Sequence, residues 1–234
     1  MKRLTLIIIG VLLCTPLYSD MNPYIAGVPV AYSTGGTGPN ITFYFNCNST
    51  DVTQTPGVGT GNVTLNANGW STTAGAVGNA LLTSTGWRRI TASTDNIDTS
   101  VGTVGFYYYP DALTASASIF YVASTIHAKV HGSTTTTLRW TYGNGIQNIT
   151  SALAEDTLVY IELSWDFGNG LSSVRINGGE WVQIDTITGE SAPAASGLYW
   201  GHESGTACTA WWDQLLISDE YQADLYSVRN NTSF

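Results

Sequence analysis

Val159 to Trp181 reads VYIELSWDFGNGLSSVRINGGEW, and the fold follows from this stretch. Val159, Ile161, Leu163 and Trp165 recur at every second position, and Val174 and Ile176 resume the spacing. A period of two marks a pleated strand with one face against a core. Gly168-Asn169-Gly170 and Asn177-Gly178-Gly179 punctuate the run, and Asn-Gly accepts the positive φ of a two-residue hairpin. Strand, turn, strand, turn and a third strand make an antiparallel meander. The expected class is all-β, a two-sheet antiparallel β-sandwich.

Working outward, further strands are expected at Ile41–Cys47, Asn62–Ala67, Ala80–Ser84, Arg88–Thr91, Gly102–Tyr109, Ala117–Ser124 and Ile126–Gly132. Thr136–Tyr142, Ile146–Thr150, Leu158–Asp166, Leu171–Ile176, Glu180–Ile187, Gly197–His202 and Ala210–Ser218 complete the series. Pro110 ends the FYYY strand because proline cannot donate to a ladder. Only Asp219–Tyr226 carries helical character, enough for a turn or two. No fixed-period repeat is visible, which argues against a propeller or solenoid.

The two ends read differently. Residues 1–19 pair Lys2-Arg3 with the apolar run Leu4 to Leu13 and a small residue at Ser19, the layout of a secretory signal peptide. The run is too short for a membrane span. Residues 20–40 are Gly- and Pro-rich toward their end and read as a linker or N-terminal arm, 41–218 as the sandwich, and 219–234 as a C-terminal tail. Removing Lys2 and Arg3 takes the eight basic residues to six against seventeen acidic ones, a net charge of −11. That balance excludes the electrostatic footprint of a nucleic-acid binder and disfavours anionic membranes. The expected location is secreted, at the cell surface or periplasmic, with no membrane insertion once residues 1–19 are cleaved.

In an oxidising compartment Cys47 and Cys208 are candidates for a disulfide. It would close a loop of about 160 residues, worth about 5 kcal/mol in the chain-entropy model. Two unpaired buried thiols are the alternative. Six Asn-x-Ser/Thr sequons, at Asn40, Asn48, Asn62, Asn148, Asn230 and Asn231, are compatible with glycosylation.

Taken in order, the segments GNALLTSTGWRRITAST, TVGFYYYP, VYIELSWDFGNGLSSVRINGGEW, LYWGHESG and AWWDQLLIS resemble the concanavalin A-like lectin/glucanase superfamily. The resemblance is strongest to its laminin-G-like jelly-roll branch and covers roughly residues 41–218. It implies a jelly roll that commonly binds carbohydrate on a concave face or at edge loops. It further implies that Asp213, on the last strand, is a candidate ligand for a structural calcium ion; no other cofactor is implied.

Eight tryptophans and thirteen tyrosines suit either a packed core or stacking against pyranose rings. Trp140, Trp165, Trp181 and Trp212, inside apolar strands, read as core. Tyr107 and Tyr109 share one strand face, as do Trp200 and His202, and these four are the candidate glycan-binding residues. His127 and His131 lie about 13 Å apart along a strand, too far to share a metal, and with Lys129 they read as a solvated polar face. Ile126-His127 faintly resembles the Gln-Ile-His segment of jelly-roll alginate lyases, but Thr125 replaces the glutamine and the Arg-x-Glu-x-Arg strand is missing. The Glu-x-Asp-x-x-Glu strand of glucanases is missing too, and Glu162 and Asp166 sit about 13 Å apart on one face. No catalytic residue is assigned. The expected function is therefore non-catalytic glycan or polysaccharide binding. A structural or adhesive subunit that self-associates or meets other surface proteins is the alternative, with a polysaccharide lyase or glycoside hydrolase third.

Overall fold

The computed structural model of the protein describes residues 38–66, 70–83, 88–123, 126–143, 145–184, 192, 194, 197–201 and 209–230. The expected signal peptide, nearly all of the N-terminal arm, His202 and Cys208 lie outside them. Among the described residues there are sixteen strands. They are β1 (Ile41–Phe45), β2 (Thr53–Gln54), β3 (Val63–Asn66), β4 (Trp70–Ala74), β5 (Asn79–Thr83), β6 (Arg89–Ala92), β7 (Val101–Pro110) and β8 (Ser118–Ala123). Then come β9 (Ile126–Val130), β10 (Leu138–Tyr142), β11 (Gly145–Ile149), β12 (Val159–Asp166), β13 (Leu171–Ile176), β14 (Val182–Ile184), β15 (Leu198–Gly201) and β16 (Ala210–Ser218). One α-helical turn, α1, spans Leu225–Val228, and a 3-10 turn spans Thr94–Asn96.

These strands form two eight-stranded antiparallel sheets, the expected sandwich. Sheet A runs β14-β13-β12-β7-β16-β5-β4, with β1 also pairing β16, and sheet B runs β11-β10-β9-β8-β15-β6-β3-β2. The opening meander is β12 to β14. Its turn at Asn177-Gly178 has φ of 51° and 68°. A Cβ on Gly178 would also collide with the Tyr226 ring, so this glycine serves both the turn and the packing of the C-terminal segment.

Between the sheets lies one apolar layer. Trp140, Trp165, Trp200 and Trp212 are fully buried in it. Burying each removes roughly 150–250 Å² from water, about 4–6 kcal/mol at ~25 cal/mol per Å². Phe43 of β1 stacks on Trp200 of β15 at 5.6 Å, and Phe106 of β7 meets Phe120 of β8 at 6.1 Å, so aromatic pairs stitch sheet to sheet. Two of the buried indole nitrogens have hydrogen-bond partners: Trp140 Nε1 donates to Ser172 Oγ (2.6 Å) and Trp165 Nε1 to the Asp98 carbonyl (3.0 Å). Trp181, expected in the core, is only partly buried, with the Arg175 guanidinium 4.7 Å from its ring.

The residues after β16 do more than trail away. Leu225, Val228 and Ala223 pack on Tyr44 and Leu216, covering the outer face of sheet A. Glu162, fully buried on β12, anchors this cover. Arg175 grips it through Nε to Oε2 (2.6 Å) and Nη2 to Oε1 (2.5 Å), and Nη2 also donates to Asp224 (2.6 Å). The Tyr226 amide donates to the same Glu162 oxygen (2.9 Å). Breaking a buried pair strands a charge, at about 3–5 kcal/mol, whereas an exposed partner contributes under ~1 kcal/mol. Urea denaturation should therefore show R175M destabilised by about 3–5 kcal/mol and D224N by less than about 1 kcal/mol. Equal, small losses in both would refute the anchor.

Candidate functional site

Of the four residues expected to bind glycan, two are buried and one lies outside the described residues. Trp200 is fully buried. On β15, Leu198 and Trp200 both point into the core, so the outward ring is Tyr199. Leu198 shares parity with Trp200, and that apolar pairing was the available sign. Tyr107 does face away from the core, yet it is only 8% exposed because the C-terminal segment covers it. Arg229 Nε donates to its hydroxyl (2.8 Å), which itself donates to Asn230 Oδ1 (2.9 Å), and the ring packs edge-on to Tyr160 at 4.9 Å. Neither residue offers a sugar a ring face. Tyr109 keeps partial exposure and stacks on Trp211 at 4.9 Å.

Asp213 is fully buried and holds the loop between β4 and β5. Its Oδ2 accepts from the Val77 amide (2.9 Å) and its Oδ1 from the Gln214 amide (2.8 Å). A Cβ on Gly75 would stand 2.5 Å from Oδ2, so the loop closes on the carboxylate without side-chain clearance. Calcium needs a shell of oxygen acceptors, whereas N–H donors occupy both oxygens here. The residues present do not fit the expected ion, and among the described residues no group of three or more His, Cys, Asp or Glu could hold one. Burial pushes the Asp213 carboxyl up to about 7. Nearby, Cys47 is buried with no disulfide partner among the described residues, burial pushes its thiol well up, and its expected partner Cys208 lies outside them.

The outer face of sheet B is different in kind. Register places Thr91, Tyr199, Tyr121, His127 and Thr141 in one row across β6, β15, β8, β9 and β10. Their rings stand against each other. The Arg89 guanidinium lies 4.4 Å over Tyr199, Tyr199 stacks on Tyr121 at 4.6 Å, and Tyr121 meets His127 at 5.5 Å. Arg89 Nη1 donates to the Tyr121 hydroxyl (3.1 Å), and His127 Nε2 pairs with Ser118 Oγ at 2.9 Å. A second row holds Ser118, Lys129, Arg139 and Asn148. Alternation in β9 is as expected, with Ile126, Ala128 and Val130 buried and His127 and Lys129 half-buried. No strand of sheet B contains Asp or Glu. Ring edges, guanidinium and hydroxyl on this face are held in place by their own stacking and hydrogen bonds.

No protein-family model and no curated sequence matches the chain. Solved structures do. Domain 4 of AbnA, an extracellular GH43 arabinanase from Geobacillus stearothermophilus solved with arabinotriose, aligns with a TM-score of 0.64 at 15% identity, over 83% of this chain and 98% of that one. The botulinum neurotoxin serotype D binding domain aligns at 0.60 and 10% identity, over 82% of this chain and 52% of that one. Trypanosoma rangeli sialidase aligns at 0.58 and 12% identity, over 82% and 32%. At such identities the likeness shows the fold. Among the described residues, no helix is long and apolar enough to cross a membrane.

Two titrating groups shifted by burial pull stability in opposite directions. Burial, then the Lys129 charge, lowers His127 from an ordinary 6.5 to about 4, so its contribution is present above pH 6.5 and lost as pH falls toward 4. Asp213 keeps its proton up to about 7 in the fold against 3.8 when unfolded, so its contribution is present at acid pH and lost as pH rises. Urea denaturation between about pH 4 and 7 should show stability rising more steeply with pH in D213N than in the parent, and less steeply in H127Q. Slopes unchanged in both variants would refute these assignments.

Proposed function

We propose that residues 41–218 form a non-catalytic carbohydrate-binding module of the laminin-G-like branch of the concanavalin A-like superfamily, acting outside the cell. One observation carries this reading: on the outer face of sheet B the half-buried Arg89, Tyr199 and His127 are held by stacking around Tyr121, itself only 6% exposed. Saccharides present many hydroxyls in fixed stereochemistry, and prepositioned donors and acceptors bind them without an ordering cost. Glu162, the carboxylate best placed to attract attention, is consumed by Arg175 and cannot act as a general acid or base. The arabinotriose-bound neighbour supports a glycan-binding use of this fold without assigning one here.

A glycan array with the domain should give a set of bound saccharides. Tyr199→Ala and Arg89→Gln should each weaken that binding about tenfold, the effect of ~1.4 kcal/mol. Tyr109→Ala, on the other sheet, should leave it unchanged. No binding on the array, or loss with Tyr109→Ala alone, would overturn the reading. The alternative, a self-associating structural subunit, draws on Ile146 of β11 and Val182 of β14, apolar side chains 48% and 41% exposed on strands at the ends of their sheets. Light scattering of the purified domain distinguishes it: a concentration-dependent assembly lost in Ile146→Lys favours that subunit.

A further inference from the structure

We propose that the saccharide bound by sheet B is acidic, bearing carboxylate or sulfate, and that its anionic group docks between Lys129 and Arg139. This rests on the carbohydrate-binding reading and adds the ligand's charge.

Lys129 and Arg139 are direct cross-strand partners on β9 and β10. Side chains so paired have Cβ atoms about 4.5–5.5 Å apart, and like charges there repel. A cytosolic or extracellular protein ordinarily relieves such a pair with a carboxylate. Here both ion pairs among the described residues belong to Arg175, and neither Lys129 nor Arg139 has one. Arg139 Nε is moreover buried without a hydrogen-bond partner. A planar guanidinium beside an ammonium matches an oxyanion, one through a fork of N–H donors and the other as a point charge.

The distribution of charge across the molecule supports the same seat. The chain carries seventeen acidic residues, yet the eight strands of sheet B contain none and hold three cations, Arg89, Lys129 and Arg139. Strands are ordinarily poor in Asp and Glu, but those of sheet A hold three, Glu162, Asp166 and Asp213, where those of sheet B hold none. Around the pair stand neutral hydrogen-bonding groups: Ser118 across from Lys129, and Asn148, exposed, across from Arg139. His127, beside Lys129, is bonded to Ser118. An anion entering this row meets two positive charges and polar groups suited to sugar hydroxyls. The surrounding domain is negative, so attraction is confined to the row and falls off over a Debye length of about 8 Å at physiological salt.

The test is calorimetric titration of the domain with hyaluronan, polygalacturonate and heparin oligosaccharides, with neutral arabinan and dextran oligosaccharides alongside. At least one acidic probe should bind, weaken as sodium chloride is raised, and weaken at least tenfold in K129Q and R139Q. A thermal melt supplies a second readout: K129Q should melt at or above the parent temperature, because it removes a repulsive pair. Binding of neutral oligosaccharides alone, unchanged in K129Q, would overturn the acidic-ligand inference and leave the glycan reading standing. No saccharide bound by any arm would overturn both. Single-stranded DNA or phosphatidylserine vesicles binding as tightly as the acidic saccharides would also overturn the inference, by making the face a general polyanion seat.

Discussion

Strand β16 is the constraint on which sheet A depends. One of its edges pairs throughout with β7; the other pairs first with β5, through Ala210 to Trp212, and then with β1, through Leu215 to Ser218. The change of partner occurs where the ladder with β7 slips, between Asp213 and Leu216. Gln214 takes a φ of 50° there, a left-handed conformation costing a non-glycine residue about 1–2 kcal/mol. The bulge has a purpose that packing makes plain. Trp212 and Leu215 both face the core although three positions separate them, and an extra residue is what restores the phase. Asp213 stabilises the kink by accepting from the Gln214 amide while its other oxygen holds the loop before β5.

The two outer faces of the sandwich have been put to different uses. Sheet A turns Tyr44, Tyr107, Tyr160 and Leu216 outward, and the segment after β16 covers them, pinned by Glu162 and Arg175. That face is spent on stability. Sheet B turns outward Arg89, His127, Lys129, Arg139 and Tyr199, which stay half-buried without apolar cover, and Tyr121, which their packing leaves 6% exposed. Division of labour of this kind explains why the more aromatic face is not the better candidate for a ligand.

The ladders are readable from alternation, because a half-buried strand repeats every two residues and β9 does so cleanly, whereas β12 is buried on both faces and β13 alternates only in part. Strand β4, WSTTA, is not readable, since small polar residues on a half-exposed strand carry no contrast, and two-residue β2 is too short to show a period. Site residues were harder. Tyr107 was placed on the correct face, but its cover comes from Arg229 and Asn230, more than a hundred residues later, and no local pattern reports such a contact. Trp200 reads as outward in the sequence because alternation fixes which residues share a face and not which face is inside. The surroundings of Asp213 are illegible for a similar reason: a donor to it comes from another loop, and the sign of that polarity decides between a cation site and an anchored turn.

The order of the strands along the chain has a consequence for how the molecule can be made. Without β16, sheet A is three pieces: β14-β13-β12-β7, β5-β4 and β1. Without β15, sheet B is two, β11-β10-β9-β8 and β6-β3-β2. Both joining strands follow all the others in sequence, so a growing chain carries five unfinished fragments with bare edges until they emerge. Such contacts are long-range and slow to form, and open edges invite pairing with other chains meanwhile. Folding of this domain is therefore a closing step that waits for β15 and β16 to emerge.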